Sequence, residues 1–119
     1  MTDSTLKRAR QVTGYHAHVY DGTADLEELR ELAQRELPET RVGRLHHDPV
    51  GPHTQPMFQI AFEPAQLAVV VAWLYPNRGE RSVLIHPQHG DLVREHRQDA
   101  LWLGAPLPIN LESFDSTHS

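Results

Sequence analysis

The sequence predicts an α+β protein of β-α-β-β-α-β order, the split βαβ or ferredoxin-like pattern, with one extra C-terminal helix. Three observations lead there. Two runs alternate with a period of two, YHAHVY from Tyr15 to Tyr20 and MFQIAFE from Met57 to Glu63. Two longer stretches carry apolar residues at helical spacing, the first closed by Pro38 and the second opened by Pro64. A further strand-like run, Arg81 to His86, is stopped by Pro87.

Taken in order, residues 1–12 read as a polar, mobile leader. In YHAHVY, Tyr15, Ala17 and Val19 face one side, while His16, His18 and Tyr20 face the other. Asp21-Gly22-Thr23 turns the chain and caps a helix. From Ala24 to Leu37 the stripe is Leu26, Leu29, Ala33 and Leu37, with Glu27 and Glu28 in the first turn where the dipole favours them. A weak strand follows near Arg41–His46. HHDPVGPHTQP, His46 to Pro56, holds three prolines and a glycine and reads as a long ordered loop or lid. Leu67, Val70, Val71 and Leu74 form the stripe of the second helix, which Pro76-Asn77-Arg78-Gly79 ends. Asp91 caps the extra helix, expected to run to about Leu103 before Gly104 terminates it. In the tail, Leu107, Ile109 and Leu111 line one side of an edge strand. The domain is expected over residues 13–112, with a polar tail at 113–119.

In this topology the first and third strands are central, the fourth lies antiparallel beside the first, and both helices cover one face. Tyr15, Ala17, Val19, Phe58, Ile60, Phe62, Val83 and Ile85 then form the core face. His16, His18, Gln59 and His86 share the other. An antiparallel sheet can leave one face to water. In small folds a loop or a second subunit commonly closes it, and a homodimer is expected here.

Composition narrows the function. The chain of 119 residues is long enough for one domain with a real core. It has no cysteine, which excludes disulfides, thiolate metal sites and a cysteine nucleophile, and fits a cytoplasmic location. The N-terminal MTDSTLKRAR lacks the apolar segment of a signal peptide. The longest apolar run, Leu67 to Tyr75, is nine residues and too short for a bilayer. A net charge of −5 argues against a nucleic-acid partner. The outlier is histidine, with nine dispersed from His16 to His118.

His16 and His18, two apart on one strand face, have Cβ atoms roughly 6–7 Å apart. Two imidazoles at that span can reach one metal through bonds of about 2.1 Å. His-x-His alone is a weak signal. His86 strengthens it, because the fourth strand ends beside the start of the first. Three histidines from neighbouring strands leave coordination positions open, as catalytic iron, manganese or zinc requires. Glu63 sits at a strand end and Asp48 in a loop, so an all-histidine set is favoured over one completed by a carboxylate. His53, in the loop, is the candidate acid or base. His96 faces the protein from the last helix, as a satisfied core histidine or a supporting partner, and joins His53 as a candidate catalytic residue. Arg78, with Arg81, can hold a substrate carboxylate, and Gln59 shares the histidine face. His46, His47, His89 and His118 read as surface residues.

Five blocks in order, YHAHVY, PVGPH, MFQIAF, NRGERSVLIHP and ALWLG, make the chain resemble the DOPA dioxygenase family of small extradiol ring-cleaving enzymes. The similarity covers roughly Tyr15 to Leu107. It implies a ferredoxin-like dimer, a non-haem ferrous ion, O2 as cosubstrate and a catechol such as L-DOPA. His16 and His18 match the family's His-x-His, His53 its Gly-Pro-His block, His86 its His-Pro block, and His96 a histidine in the following helix. One departure is His89-Gly90, where the family tends to have Thr-Gly, which bears on the substrate more than on the fold. Two other readings stay open: a non-enzymatic dimeric ligand-binding module, and a different metalloenzyme, zinc-dependent for instance, on the same histidines.

Overall fold

The computed structural model describes residues 11–21, 25–48 and 50–112. β1 (Gly14–Tyr20) is followed by α1 (Leu26–Glu36), the short β2 (Arg41–Val42) and β3 (Met57–Phe62). A 3-10 turn (Pro64–Gln66) runs into α2 (Leu67–Asn77), and β4 (Val83–Gln88), α3 (Leu92–His96) and β5 (Leu101–Leu103) complete the chain. The strands form one antiparallel sheet in the order β2-β3-β1-β4-β5. Its first four strands have the ferredoxin-like arrangement expected from the sequence. Among the described residues, no helix is long and apolar enough to cross a membrane.

Alternation sorts the two faces. Ala17, Val19, Phe58, Ile60, Phe62, Val83 and Ile85 pack beneath the helices with Leu26, Leu29, Ala33 and Leu37 of the first helical segment and Val70 and Leu74 of α2. Each fully buried aliphatic side chain contributes about 1.5–3 kcal/mol, so this face holds the fold together. Tyr15 sits at its margin, stacked on Phe62 with ring centroids 5.8 Å apart.

Two expectations need correction. The helix from Asp91 stops at His96 rather than near Leu103, and Leu101–Leu103 is a strand. Leu92, His96, Ala100 and Leu103 fit a helical period, but Leu101-Trp102-Leu103 also fits a period of two. The free edge of β4 decides it by offering unpaired backbone groups. Leu103 then packs on the main core and Trp102 on the opposite face. The tail, in turn, is not an edge strand. Among the described residues it makes a single bridge, Ile109 to His53, and sets Leu107 and Ile109 against Tyr20, Met57 and Leu84. The loop carrying His53, α3 and this tail cover the histidine face within one chain, leaving His18 at 3% and His86 at 2% exposure. The leader at 1–10, the turn residues Gly22 and Thr23, and the tail at 113–119 with His118 lie outside the described residues.

Candidate metal centre

Strand register assembles the site. His16 is directly opposite His86 across β1 and β4, and His18 lies between Gln59 of β3 and Leu84 of β4. The three imidazoles sequence reasoning selected do converge: ligand atoms of His16, His18 and His86 lie within 4.8 Å of one another. The two histidines predicted to support them arrive from outside the sheet. The His53 ring centroid lies 4.1 Å from that of His18, and the His96 centroid 4.0 Å from that of His86.

Each outside histidine is held by local structure. His53 N–H donates to Val50 O at 2.8 Å, Asn110 N–H to Pro52 O at 2.7 Å, and the Thr54 hydroxyl to Pro108 O at 2.8 Å. The proline-rich loop is thereby strapped down by the tail. His96 ends α3, whose start is capped by Asp91 accepting from Arg94 N–H at 3.1 Å.

Hydrogen bonds then fix ring tautomers. His86 Nδ1 lies 3.0 Å from Pro87 O, and His96 Nδ1 lies 2.8 Å from Leu92 O. A carbonyl oxygen only accepts, so both Nδ1 atoms carry the proton and both Nε2 atoms carry the lone pair. Burial and neighbouring imidazoles also keep these rings neutral. Burial first, and the His96 imidazole after it, bring His86 down to about 3 and His53 to about 4. Burial lowers His18 well below the ordinary value, and His16 and His96 less far, with Glu95 opposing the shift at both. Neutral imidazole is the ligating form.

The donor set fits a divalent metal. His18 Nε2 and His86 Nε2 stand 3.1 Å apart. Two nitrogens bonded at right angles to one ion through bonds of roughly 2.1 Å stand about 3.0 Å apart. Among the described residues His18 Nδ1 is buried with no hydrogen-bond partner, whereas the rings of His53, His86 and His96 are each pinned by one. His16 is only half-buried, which leaves an approach to the group from that side.

Sequence reasoning missed Glu95. Its side chain is 3% exposed, and Oε2 accepts the backbone N–H groups of His89 and Gly90, each at 2.8 Å. Gly90 has φ +103, which lets two successive amides face one oxygen. Oε1 lies 3.8 Å from His86 Nδ1, and His86, Glu95 and His96 also satisfy a three-ligand spacing. The carboxylate near the centre is therefore Glu95, not Glu63 or Asp48. In sequence it sits in DLVREHRQD with nothing to separate it from its charged neighbours. Glu95→Gln is expected to cost about 1–3 kcal/mol of stability and roughly 10–100-fold in metal affinity, read by urea unfolding and metal titration of the same protein.

The remaining candidates fall in different places. Gln59 is paired with His18 in the ladder and lies on the histidine face. Arg78 lies in the turn after α2, where Nη1 donates to Arg81 O at 2.9 Å. Arg81 binds Asp21 at 2.7 Å and Asp25 at 2.8 Å, which ties the end of β1 to the start of α1. His89, expected as a plain surface residue, is half-buried and donates through Nε2 to Asp99 at 2.9 Å.

Fold and site together define a small α+β protein with a buried multi-histidine centre able to hold a metal ion. The chain belongs to the Dopa 4,5-dioxygenase family, which matches residues 15–113. It is 38% identical to an uncharacterized 21.2 kDa protein of Botryotinia fuckeliana over 92% of this chain and 64% of that one. It is 29% identical to a DOPA 4,5-dioxygenase of Amanita muscaria over 95% of this chain and 54% of that one. The chain thus spans roughly half to two thirds of the length of these curated relatives. A crystal structure of a candidate dioxygenase from Nostoc punctiforme superposes with a TM-score of 0.82 at 38% identity, covering 92% of this chain and 96% of the other. The family and two of these three relatives carry a dioxygenase name.

Proposed function

We propose that the chain is a non-haem Fe(II) extradiol dioxygenase that opens the ring of a catechol, L-DOPA or a close relative, with O2. The observation that carries this reading is the convergence of His16, His18 and His86, with ligand atoms inside 4.8 Å, in a setting that keeps all three neutral. These three histidines would hold the iron, which when bound supplies Lewis-acid catalysis and a template for both substrates. His96 braces His86 from behind, and Glu95 sets a negative charge beside the pair. Gln59, next to His18 on the same face, orients a substrate hydroxyl. His53, poised over His18, transfers the proton that ring opening requires, a contribution of roughly 10²–10⁴-fold. Covering this face excludes bulk water from the reacting groups.

The test is anaerobic loading with Fe(II), then exposure to a catechol panel including L-DOPA in air. Oxygen uptake with a yellow ring-opened product supports the reading. Iron-loaded protein that consumes no oxygen with any catechol refutes it for those substrates. The same reading takes the enzyme as a cytoplasmic homodimer, and light scattering that reports a monomer across micromolar concentrations would remove the dimer.

A further inference from the structure

We infer that the Tyr20 hydroxyl fixes the tautomer of His53, so that His53 turns an N–H, not a lone pair, toward the histidine cluster. Tyr20 is then a positioning residue, and His53 a proton donor rather than a metal ligand. The inference rests on the reading above for its catalytic meaning, though not for its geometry.

Tyr20 is the third member of the outward set in YHAHVY, one alternation beyond His18. It is 2% exposed, and its ring stacks on Trp102 with centroids 6.1 Å apart, among Met57 and Leu84. Its hydroxyl lies 2.5 Å from His53 Nδ1. The contact is a hydrogen bond that either partner could donate, depending on the tautomer of His53. Burial decides the direction: if Nδ1 carried the proton, the buried phenol O–H would be left without this acceptor, a donor unmet away from water. With the hydroxyl donating, Nδ1 holds the lone pair, and a neutral ring must carry its proton on Nε2.

The contrast with the neighbouring rings supports the assignment. His86 and His96 are each backed by a carbonyl oxygen, an acceptor, which leaves lone pairs on Nε2. His53 alone among these three is backed by a hydroxyl, a donor, which has the opposite effect. Spacing alone would allow His18, His53 and His96 as a ligand set. The hydroxyl removes His53 from it, and His16, His18 and His86 remain as the all-histidine set.

The experiment is nitrogen-15 NMR of the metal-free protein labelled at histidine, which reports which ring nitrogen of each histidine is protonated. The expected result is His53 protonated on Nε2 in the wild type, with a mixture of tautomers in Tyr20→Phe while His86 and His96 keep Nδ1 protonated. His53 protonated on Nδ1 in the wild type overturns the inference, and so does an unchanged tautomer in the variant. Should the variant not fold, the wild-type spectrum decides alone. On iron loading, Tyr20→Phe is expected to keep its iron and its KM within about twofold while kcat falls about 10–100-fold. Iron lost with the hydroxyl would make His53 a ligand and overturn it. Failure of the wild type to turn over any catechol would refute the proposed reaction and leave the tautomer result standing.

Discussion

His86→Ala is expected to abolish metal retention. His86 is opposite His16 in the ladder, 3.1 Å from His18 through Nε2, and in ring contact with His96. Its removal takes one donor from the set and leaves His18 Nε2 facing a void. Loss of an outer hydrogen-bond partner typically costs 10–100-fold in affinity, so loss of a direct ligand should exceed about 100-fold. Metal titration measures it, with circular dichroism of the metal-free variant as the control for folding. Undiminished binding would shift the ligand set to His18, His53 and His96, the other group of histidines with suitable spacing, and would refute both the assignment of His86 and the tautomer argued for His53.

The second large effect is of pH on the metal-free protein. In the unfolded chain a histidine titrates near 6.5. In the folded chain, burial holds His53 down to about 4, His86 to about 3 and His18 well below its ordinary value. Above pH 7 all three are neutral in both states and add no slope. Below 6.5 the unfolded chain binds protons that the folded chain refuses, so stability falls with pH until the folded groups titrate in turn. At pH 5 each group costs up to about 2 kcal/mol, roughly 6 kcal/mol for the three. That is comparable with the whole stability of a typical domain, about 5–15 kcal/mol. Urea midpoints at pH 7.5 and pH 5 should therefore differ strongly, and equal midpoints would show the rings are not buried as described. His86→Ala, which deletes one refused proton, should flatten the dependence. Bound metal requires the same neutral rings, so affinity falls in the same direction.

The sheet and its two faces were legible in the sequence because every residue of β1 and β3 reports the same period. His16, His18 and His86 followed from that period together with one topological rule. The region after β4 was not legible, since a short polar segment ending in Leu101-Trp102-Leu103 satisfies helix and strand alike until the free edge of β4 is in place. Glu95 was hidden for a different reason. Its burial comes from two amides in the preceding loop, a contact that no local pattern announces. Tyr20 was in plain view on the histidine face, but its chemistry comes from His53, brought over from 33 residues away by the strapped loop.

The central claim is that imidazoles from β1 and β4 converge to bind one metal ion. Anaerobic titration of the wild-type chain with Fe(II) near pH 7.5, with free and bound iron separated by dialysis, tests it most directly. Saturation at one ion per chain is the expected result. No saturable binding by the folded protein would contradict it.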